Sequence, residues 1–251
     1  SHRRGRHRRT RSAALGLSTV QSGTRKQGIV GVILAAGAGR RMGGAAKALI
    51  TLDGVPLVRH ILNAFAEAGI DELLVVTGAH SEAVEEAVRA WDSPQPEGCR
   101  VECVHNARWS DGQAGSVSVA VQTAQRRGST AVLITPVDLP ALSPRVIERM
   151  ATIARGPALP CVTDGPDRVP THPARIDASD FEAVLHALEV GPADRGAGPW
   201  LQQVAAQHVL VDDLIDRAPT DLDTPADLQE VRSARWCRSH PLRLQQDDRG
   251  Q

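Results

Sequence analysis

Apolar runs and amphipathic stretches alternate along the chain from Ile29 onward, and this alternation limits the fold more than any other feature. Short runs rich in apolar and β-branched residues are typical of strands: IVGVILAA, DELLVVTG, RVECVHN and TAVLITPVD. The stretches between them repeat apolar residues at helical spacing, and one helical face collects Leu57, Ile61, Leu62, Phe65 and Ala68. Strands that alternate with helices pair in parallel, with helices on both faces of the sheet. We therefore expect a three-layer α/β/α domain.

The pattern loosens after Gly156, where two extended segments flank a predicted turn at Asp164–Gly165. A helix over 178–190, a strand over 208–213 and a last helix from Thr224 follow. No internal repeat is present, so we predict one domain over residues 29–235 with a mostly parallel, mixed sheet. A basic, disordered tail over 1–28 and a polar tail over 236–251 would flank it.

Charge and composition narrow the classes of function. Eight of the 29 basic residues lie within residues 1–28, which hold no acid, so positive charge marks the tail rather than the domain. Such a tail could bind nucleic acid or acidic lipid, but a disordered extension is the simpler interpretation. Aromatic residues make up 2% of the chain, which argues against base-stacking surfaces and makes nucleic-acid binding an unfavoured alternative. No apolar run approaches the ~18 residues of a membrane span.

Four cysteines fit a reduced compartment, and we predict a cytoplasmic protein. Cys99 and Cys103 would share one face of a strand, but no second pair matches them as in zinc sites. We interpret the cysteines as thiols in or beside the core.

A glycine-rich loop follows the first predicted strand, in GIVGVILAAGAGRRMGG. Backbone N–H groups of such loops often face phosphate. A dinucleotide fingerprint fails because Met42 stands where the third glycine belongs, and a P-loop fails because Ala45 and Ala46 replace its Lys-Ser/Thr pair. Two cations of the loop could still bind phosphate. Arg41 can donate two parallel hydrogen bonds to phosphate oxygens, and Lys47 carries a compact positive charge.

The stretch LAAGAGRRMGGAAKALITLDGVPL resembles the signature of the MobA-like nucleotidyltransferases. Ala46 departs from the pattern, which has proline before the lysine. The resemblance implies a Rossmann-like domain of the nucleotide-diphospho-sugar transferase type. It also implies a nucleotide site in which Arg41 and Lys47 hold the triphosphate and the loop holds base and sugar, through Leu34, Ala35, Ala36, Gly37 and Gly39.

Three further segments extend the resemblance. NARWSDGQAGSVSVAV matches the W-x-x-G-x-x-x-S segment of the molybdenum-cofactor branch and implies that Gly112, Gly115 and Ser116 contact nucleotide. LITPVDLPAL places Asp138 after a buried strand, where a Mg²⁺ ligand stands in the family. TDLDTPADLQEV supplies a second carboxylate for the ion, for which we favour Asp223 over Asp221.

Two weaker matches concern the acceptor. PTHPARI resembles a G-H-P motif with Thr171 replacing glycine, and PADRGAG resembles G-D-x-G-A with Ala193 replacing glycine. They nominate His172, Asp194 and Arg195 as acceptor-binding residues.

The resemblance implies transfer of NMP to a phosphorylated acceptor with release of pyrophosphate, with Mg²⁺ as cofactor and Mn²⁺ as a substitute. The catalytic residues would be Arg41, Lys47 and Asp138. Ala36 favours CTP over GTP, and the branch motifs favour molybdopterin as acceptor and a molybdenum hydroxylase or its maturation chaperone as partner. The alternatives are a sugar or polyol phosphate as acceptor, and a protein that binds or inserts the cofactor without catalysis.

Overall fold

The computed structural model of the protein describes residues 28–92, 99–215 and 221–233. Its strands, in chain order, are β1 (Ile29–Ala35), β2 (Thr51–Leu52), β3 (Val55–Pro56), β4 (Glu72–Thr77), β5 (Arg100–His105), β6 (Ala131–Pro136), β7 (Ala158–Asp164), β8 (Asp167–Pro170), β9 (Ala174–Asp177) and β10 (Gln207–Leu210). Its α-helices are α1 (Leu57–Glu67), α2 (Ser81–Arg89), α3 (Gln113–Arg126), α4 (Pro144–Ala151), α5 (Phe181–Val190), α6 (Gly198–Gln203) and α7 (Pro225–Ser233).

The main sheet has the order β10-β7-β9-β6-β1-β4-β5, with β8 paired to β7. β1 lies at its centre and pairs in parallel with both β4 and β6. β9 runs antiparallel to β6 and β7, which makes the sheet mixed. Because β1, β4 and β6 run in the same direction, their carboxyl ends meet at one edge, where open α/β sheets bind ligands.

Helices cover both faces of the sheet, as the alternating pattern predicts. One apolar cluster contains side chains of α1, α2 and α4, and the other contains side chains of α3, α5 and α6. β1 is buried along its whole length: Ile33 packs in the first cluster, whereas Val32 and Leu34 pack in the second. A β-carbon at Gly31 would lie 2.8 Å from Cδ1 of Phe65, so the missing side chain makes room for the Phe65 ring. The predicted three-layer α/β/α fold is confirmed.

The region after Gly156 forms three strands rather than the two extended segments expected. β7 and β8 form a hairpin whose tip is close to the predicted turn, since Asp164 pairs with Asp167. The chain then leaves the hairpin and returns as β9 between β6 and β7. β9 is only four residues long, so periodicity could not separate it from its neighbours.

Two predicted segments cannot be compared with the structure. All but one residue of the 1–28 tail and the whole 236–251 tail lie outside the described residues. Within the described residues, no helix combines the length and apolarity needed to cross a bilayer.

Candidate functional site

A small cavity, here called the groove, opens at the edge where β1 and β6 end. Its volume is about 330 Å³. The walls come from the end of β1 and the glycine loop, the end of β6, and the turn that leads into α3: Leu34, Ala35, Ala36, Gly37, Gly39, Lys47, Ala48, Trp109, Gly112, Gln113, Ser116, Pro136, Val137 and Asp138. Most of the residues nominated from the glycine-loop signature therefore line one cavity.

The two glycines of the loop have different physical roles. Gly39 has a φ of 62°, and a β-carbon there would lie 1.8 Å from the carbonyl oxygen of Ala45. Its own carbonyl accepts hydrogen bonds from Met42 N (2.8 Å) and Gly44 N (3.0 Å), which close the loop. A β-carbon at Gly37, in contrast, would meet no atom within 4 Å. Gly39 thus shapes the loop, whereas Gly37 lines the groove and has open space beside its α-carbon.

Lys47 lies between two carboxylates that are distant in sequence. Its Nζ is 2.7 Å from Oδ2 of Asp138 and 2.7 Å from Oδ1 of Asp223. The Lys47 and Asp138 side chains are 19% and 18% exposed, so water screens this contact less than a surface ion pair. The chain has only one other lysine, Lys26.

The backbone brings Asp138 and Asp223 together. Leu222 N donates a 2.9 Å hydrogen bond to the carbonyl of Asp138, and the Leu222 side chain is fully buried in the core. Asp227 then accepts hydrogen bonds from the N–H groups of Asp223 (2.9 Å) and Thr224 (2.7 Å), while Thr224 Oγ1 accepts one from Asp227 N. This capping box begins α7 and directs Asp223 toward Lys47.

The charges around Lys47 shift several pKa values. Burial alone lowers the pKa of Lys47, but the hydrogen bonds to Asp138 and Asp223 outweigh burial, so the pKa is raised. The hydrogen bond from Lys47 lowers the pKa of Asp223. Burial raises the pKa of Asp221, and the negative charges of Asp138 and Asp223 raise it further. The ammonium of Lys47 is thus the cation that lets Asp138 and Asp223 approach each other.

The donor set suits a hard divalent cation. Because one oxygen of Asp138 and one of Asp223 are each 2.7 Å from the same nitrogen, the two oxygens are separated by no more than twice that distance. Mg²⁺ typically takes one or two carboxylates and completes its shell with phosphate oxygens and water. In the described part of the chain, no group of three or more His, Cys, Asp or Glu side chains is assembled around a common point. The two carboxylates therefore suit a cation whose remaining coordination positions are filled by a bound ligand and water.

Arg41 lies at the outer edge of this arrangement. Its side chain is 77% exposed, and its Nη1 is 3.4 Å from Oδ2 of Asp223. Arg41 does not line the groove.

The opposite wall is the turn before α3. Gly112 has a φ of 132°, and a β-carbon there would lie 2.3 Å from the carbonyl oxygen of Ala193. That carbonyl accepts a 2.8 Å hydrogen bond from Ala114 N, so the 193–194 segment packs against the start of α3. Ser116 is buried and lines the groove, whereas Gly115 does not line it.

A larger cavity of about 730 Å³, here called the large cavity, adjoins the groove. The two cavities share Leu34, Gln113 and Pro136 as wall residues. His172 and Arg195 line the large cavity, but Asp194 is exposed and lines neither cavity. Nδ1 of His172 lies 3.3 Å from the carbonyl of Ile134, and burial lowers the pKa of His172.

Some wall residues were not nominated from sequence. Trp109 is the tryptophan of the quoted W-x-x-G segment, so the motif could have identified it as a wall residue of the groove. Gln113 and Pro136 line both cavities; they lie inside quoted segments, but neither was singled out there, so only the tertiary structure identifies them as wall residues.

Comparison with known proteins agrees with this architecture. Residues 31–209 match the sequence pattern of the MobA-like NTP transferase domain. Nicotine blue oxidoreductase of Paenarthrobacter nicotinovorans is 30% identical over 201 residues, which cover 78% of this chain and 92% of that relative.

Two solved structures share the fold. A Methanothermobacter nucleotidyl transferase superposes with a TM-score of 0.66 at 24% identity and covers 84% of this chain and 99% of its own. A Mycobacterium tuberculosis protein in complex with manganese superposes with a TM-score of 0.57 at 22% identity; the match covers 81% of this chain and 97% of that one. At these identities the likeness concerns the fold, which is that of the nucleotide-diphospho-sugar transferases. The match over 31–209, together with the glycine loop and the strand-end aspartate, means that this chain belongs to the MobA-like NTP transferase family.

Proposed function

We propose that the protein transfers a nucleoside monophosphate from a nucleoside triphosphate to a phosphorylated acceptor and releases pyrophosphate. The observation that carries the proposal is the pair of adjoining cavities, one of which holds Lys47 and Asp138. In this proposal the groove binds the nucleotide, and the large cavity binds the acceptor. Their shared wall at Leu34, Gln113 and Pro136 would let the two substrates meet.

The chemistry requires alignment and charge neutralisation. An acceptor phosphate oxygen attacks the α-phosphorus, the bond between that phosphorus and the α–β bridging oxygen breaks, and pyrophosphate leaves with the electron pair. Because the acceptor phosphate is already ionised near neutral pH, the reaction needs no strong general base. Lys47 and Arg41 would stabilise the charge on the leaving pyrophosphate.

Asp138 and Asp223 would hold Mg²⁺, or Mn²⁺ in its place. When bound, such an ion supplies Lewis-acid polarisation of the phosphate oxygens. The convergence of both carboxylates on one cation, here the Lys47 ammonium, supports this assignment. The fold relative that is complexed with manganese supports it at a coarser level.

We further propose CTP as the nucleotide and a molybdopterin-type molecule as the acceptor. Ala36 supports CTP through the family resemblance. The residues that line the large cavity include no carboxylate and many aliphatic side chains; Arg195 is its permanent cation, and His172 and His208 add imidazoles. Such a wall suits an anionic heterocycle better than a polyhydroxylated sugar, which needs many hydrogen-bond partners. A molybdenum hydroxylase or its chaperone would receive the product, in the cytoplasm.

Thermal-shift titration of CTP, GTP, ATP and UTP with Mg²⁺ or Mn²⁺, followed by a pyrophosphate-release assay with molybdopterin, tests the proposal. We expect the largest stabilisation with CTP and the loss of pyrophosphate release in Asp138→Asn. Asp164→Asn, at the exposed tip of the β7–β8 hairpin, is a matched control that should retain activity. Normal turnover by Asp138→Asn would contradict the metal assignment, and equal use of GTP would contradict the CTP preference. Release with a sugar or polyol phosphate alone would favour the other acceptor class.

A redox reaction is the second candidate function. Its support is the relative that is 30% identical and is called an oxidoreductase. The same two cavities would then hold an organic hydride donor and an oxidised organic acceptor, and a hydride would pass from the donor to the acceptor, which also takes up a proton from water. The test uses a reduced nicotinamide as hydride donor and a quinone as acceptor. Loss of the nicotinamide absorbance would favour the redox function over nucleotidyl transfer, provided that no phosphorylated acceptor gives pyrophosphate release.

A further inference from the structure

Asn106 is a buried polar residue that the proposed chemistry does not use. It lies directly after β5 and is 3% exposed. Its backbone N–H donates a 2.8 Å hydrogen bond to the carbonyl of Thr77, and its carbonyl accepts a 3.2 Å hydrogen bond from Trp109 N. The backbone of Asn106 therefore joins the end of the sheet to the turn that carries Trp109, a wall residue of the groove.

Hydrogen bonding determines which end of the Asn106 side-chain amide is the oxygen and which is the nitrogen. One end lies 3.0 Å from the backbone N–H of Arg108, and an N–H group can only donate. That end of the amide must be the oxygen, Oδ1. The other end is then the NH₂ group, which donates a 3.0 Å hydrogen bond to Oγ of Ser116.

This orientation decides the role of the Ser116 hydroxyl. A hydroxyl carries one hydrogen to donate and lone pairs to accept with, and the lone pair that faces Asn106 is used. Among the described residues, no acceptor takes the hydrogen of Ser116. Ser116 is 4% exposed and lines the groove, so the hydrogen is available to a molecule bound there.

We infer that Asn106 is a positioning residue of the groove: its amide holds Ser116 as a hydrogen-bond donor toward the bound nucleotide. The nucleotide atom that meets Ser116 is then an acceptor, such as a base carbonyl or ring nitrogen, a ribose oxygen or a phosphate oxygen. This inference rests on the proposed binding of nucleotide in the groove, but it does not depend on which reaction follows.

A double-mutant cycle tests the inference through nucleotide affinity. The variants are Ser116→Ala, Asn106→Asp and the double substitution, each titrated with CTP and Mg²⁺ by calorimetry. Asp at position 106 keeps the acceptor for Arg108 N but replaces the NH₂ donor with an oxygen, which would take the Ser116 hydrogen for itself. Each single variant should bind CTP about three- to tenfold more weakly, the effect of one lost hydrogen bond. The double variant should bind no more weakly than Asn106→Asp alone.

A merely structural role for Asn106 gives a different pattern. In that case Asn106→Asp lowers the melting temperature, and its effect on CTP affinity adds to that of Ser116→Ala. Additive losses would overturn the inference, and so would an unchanged CTP affinity in Ser116→Ala. Ser118→Ala is the matched control, because Ser118 lies on the same helix and does not line the groove, and it should bind CTP like the wild type.

Two outcomes separate the inference from the proposed function. Wild-type protein that binds none of the four triphosphates would remove the proposed function and the inference with it, whereas tight wild-type binding with additive losses removes the inference alone. Should the charge of Asp at position 106 prevent folding, Asn106→Ala replaces it in the cycle, since it also removes the NH₂ group that orients the Ser116 hydroxyl. If neither variant folds, Ser116→Ala decides: weaker CTP binding supports the donor role, and wild-type affinity overturns it.

Discussion

The ammonium of Lys47 lies 2.7 Å from a carboxylate oxygen of Asp138, although the two residues are 91 positions apart in the chain. A second carboxylate, from Asp223, reaches the same nitrogen at the same distance. Without a positive charge between them these two carboxylates would repel each other. In the proposed metal site, the Lys47 ammonium therefore competes with the divalent cation for both carboxylates.

Replacing Lys47 with methionine should therefore strengthen metal binding in the absence of nucleotide. The substitution keeps an unbranched side chain only one atom shorter than lysine but removes the ammonium from both carboxylates, so a metal ion no longer competes with it. We expect Mn²⁺ to bind about tenfold or more tightly to Lys47→Met, since a charge-assisted hydrogen bond contributes roughly 1.5–3 kcal/mol. The free Mn²⁺ signal in electron paramagnetic resonance measures this affinity. Arg59→Met is the control, because Arg59 bonds to Ala87 on a different part of the molecule. Equal Mn²⁺ affinity in Lys47→Met and the wild type would contradict the prediction.

The two loop glycines should respond oppositely to a larger side chain. Gly37→Val meets no atom of the protein near its β-carbon but adds bulk to the wall of the groove, so it should unfold at the wild-type temperature and bind nucleotide more weakly. Gly39→Val forces a β-branched residue into a left-handed conformation against the Ala45 carbonyl, so it should lower the melting temperature of the nucleotide-free protein. Thermal unfolding with and without nucleotide measures both effects. Normal nucleotide binding by Gly37→Val would show that the groove is not the nucleotide site.

Removing the side chain of Asp227 should loosen the approach of Asp223 to Lys47. Asp227→Ala deletes the acceptor of the Asp223 and Thr224 N–H groups, so hydrogen exchange of these two amides should accelerate and Mn²⁺ affinity should fall. In Asp227→Asn the side-chain oxygen still accepts both bonds, so this variant should retain most of the protection. Unchanged exchange in Asp227→Ala would mean that Leu222 alone positions the segment.

Cys99 and Cys103 should resist alkylation near neutral pH. Burial raises the pKa of each thiol to about 11, and negative charges contribute: that of Asp71 at Cys99, and that of Glu85 at Cys103. At pH 8 the thiolate fraction is about 100-fold below that of a thiol with an ordinary pKa near 9, because two pKa units separate them. Iodoacetamide labelling resolved by peptide mass spectrometry, with glutathione as the internal control, measures this difference. Labelling of either cysteine as fast as glutathione would contradict it.

The same shifts predict the direction of stability with pH. Since the folded state holds these two protons more tightly than the unfolded state, the unfolded chain loses them first as pH rises above 9. The free energy of unfolding should therefore decrease between about pH 9 and pH 11. Replacing both cysteines with alanine should flatten this part of the profile in urea titrations.

Much of the fold could be predicted because it depends on local periodicity. The apolar run of β1 is buried on both faces, and the five apolar residues predicted to share one face of the α1 segment are all buried in one cluster. β9 was missed because its place between β6 and β7 depends on pairing with strands far away in sequence. The small β2–β3 hairpin was also missed, although Asp53-Gly54 at its turn is a typical hairpin signal.

The candidate site divides in the same way. The amino-acid sequence by itself determined the alternation that builds a sheet with helices on both faces, and it placed Gly39, Lys47 and Asp138 in short motifs whose meaning is local. The family resemblance already favoured Asp223 over Asp221, but only the tertiary structure shows that Asp223 contacts Lys47. Tertiary structure alone decided that Asp194 lies outside both cavities and that the amide of Asn106 donates to Ser116. The reason is physical: a motif specifies backbone conformation over a few residues, whereas the meeting of Asp138 with Asp223 depends on the burial of Leu222 and on hydrogen bonds between segments that only the folded chain brings together.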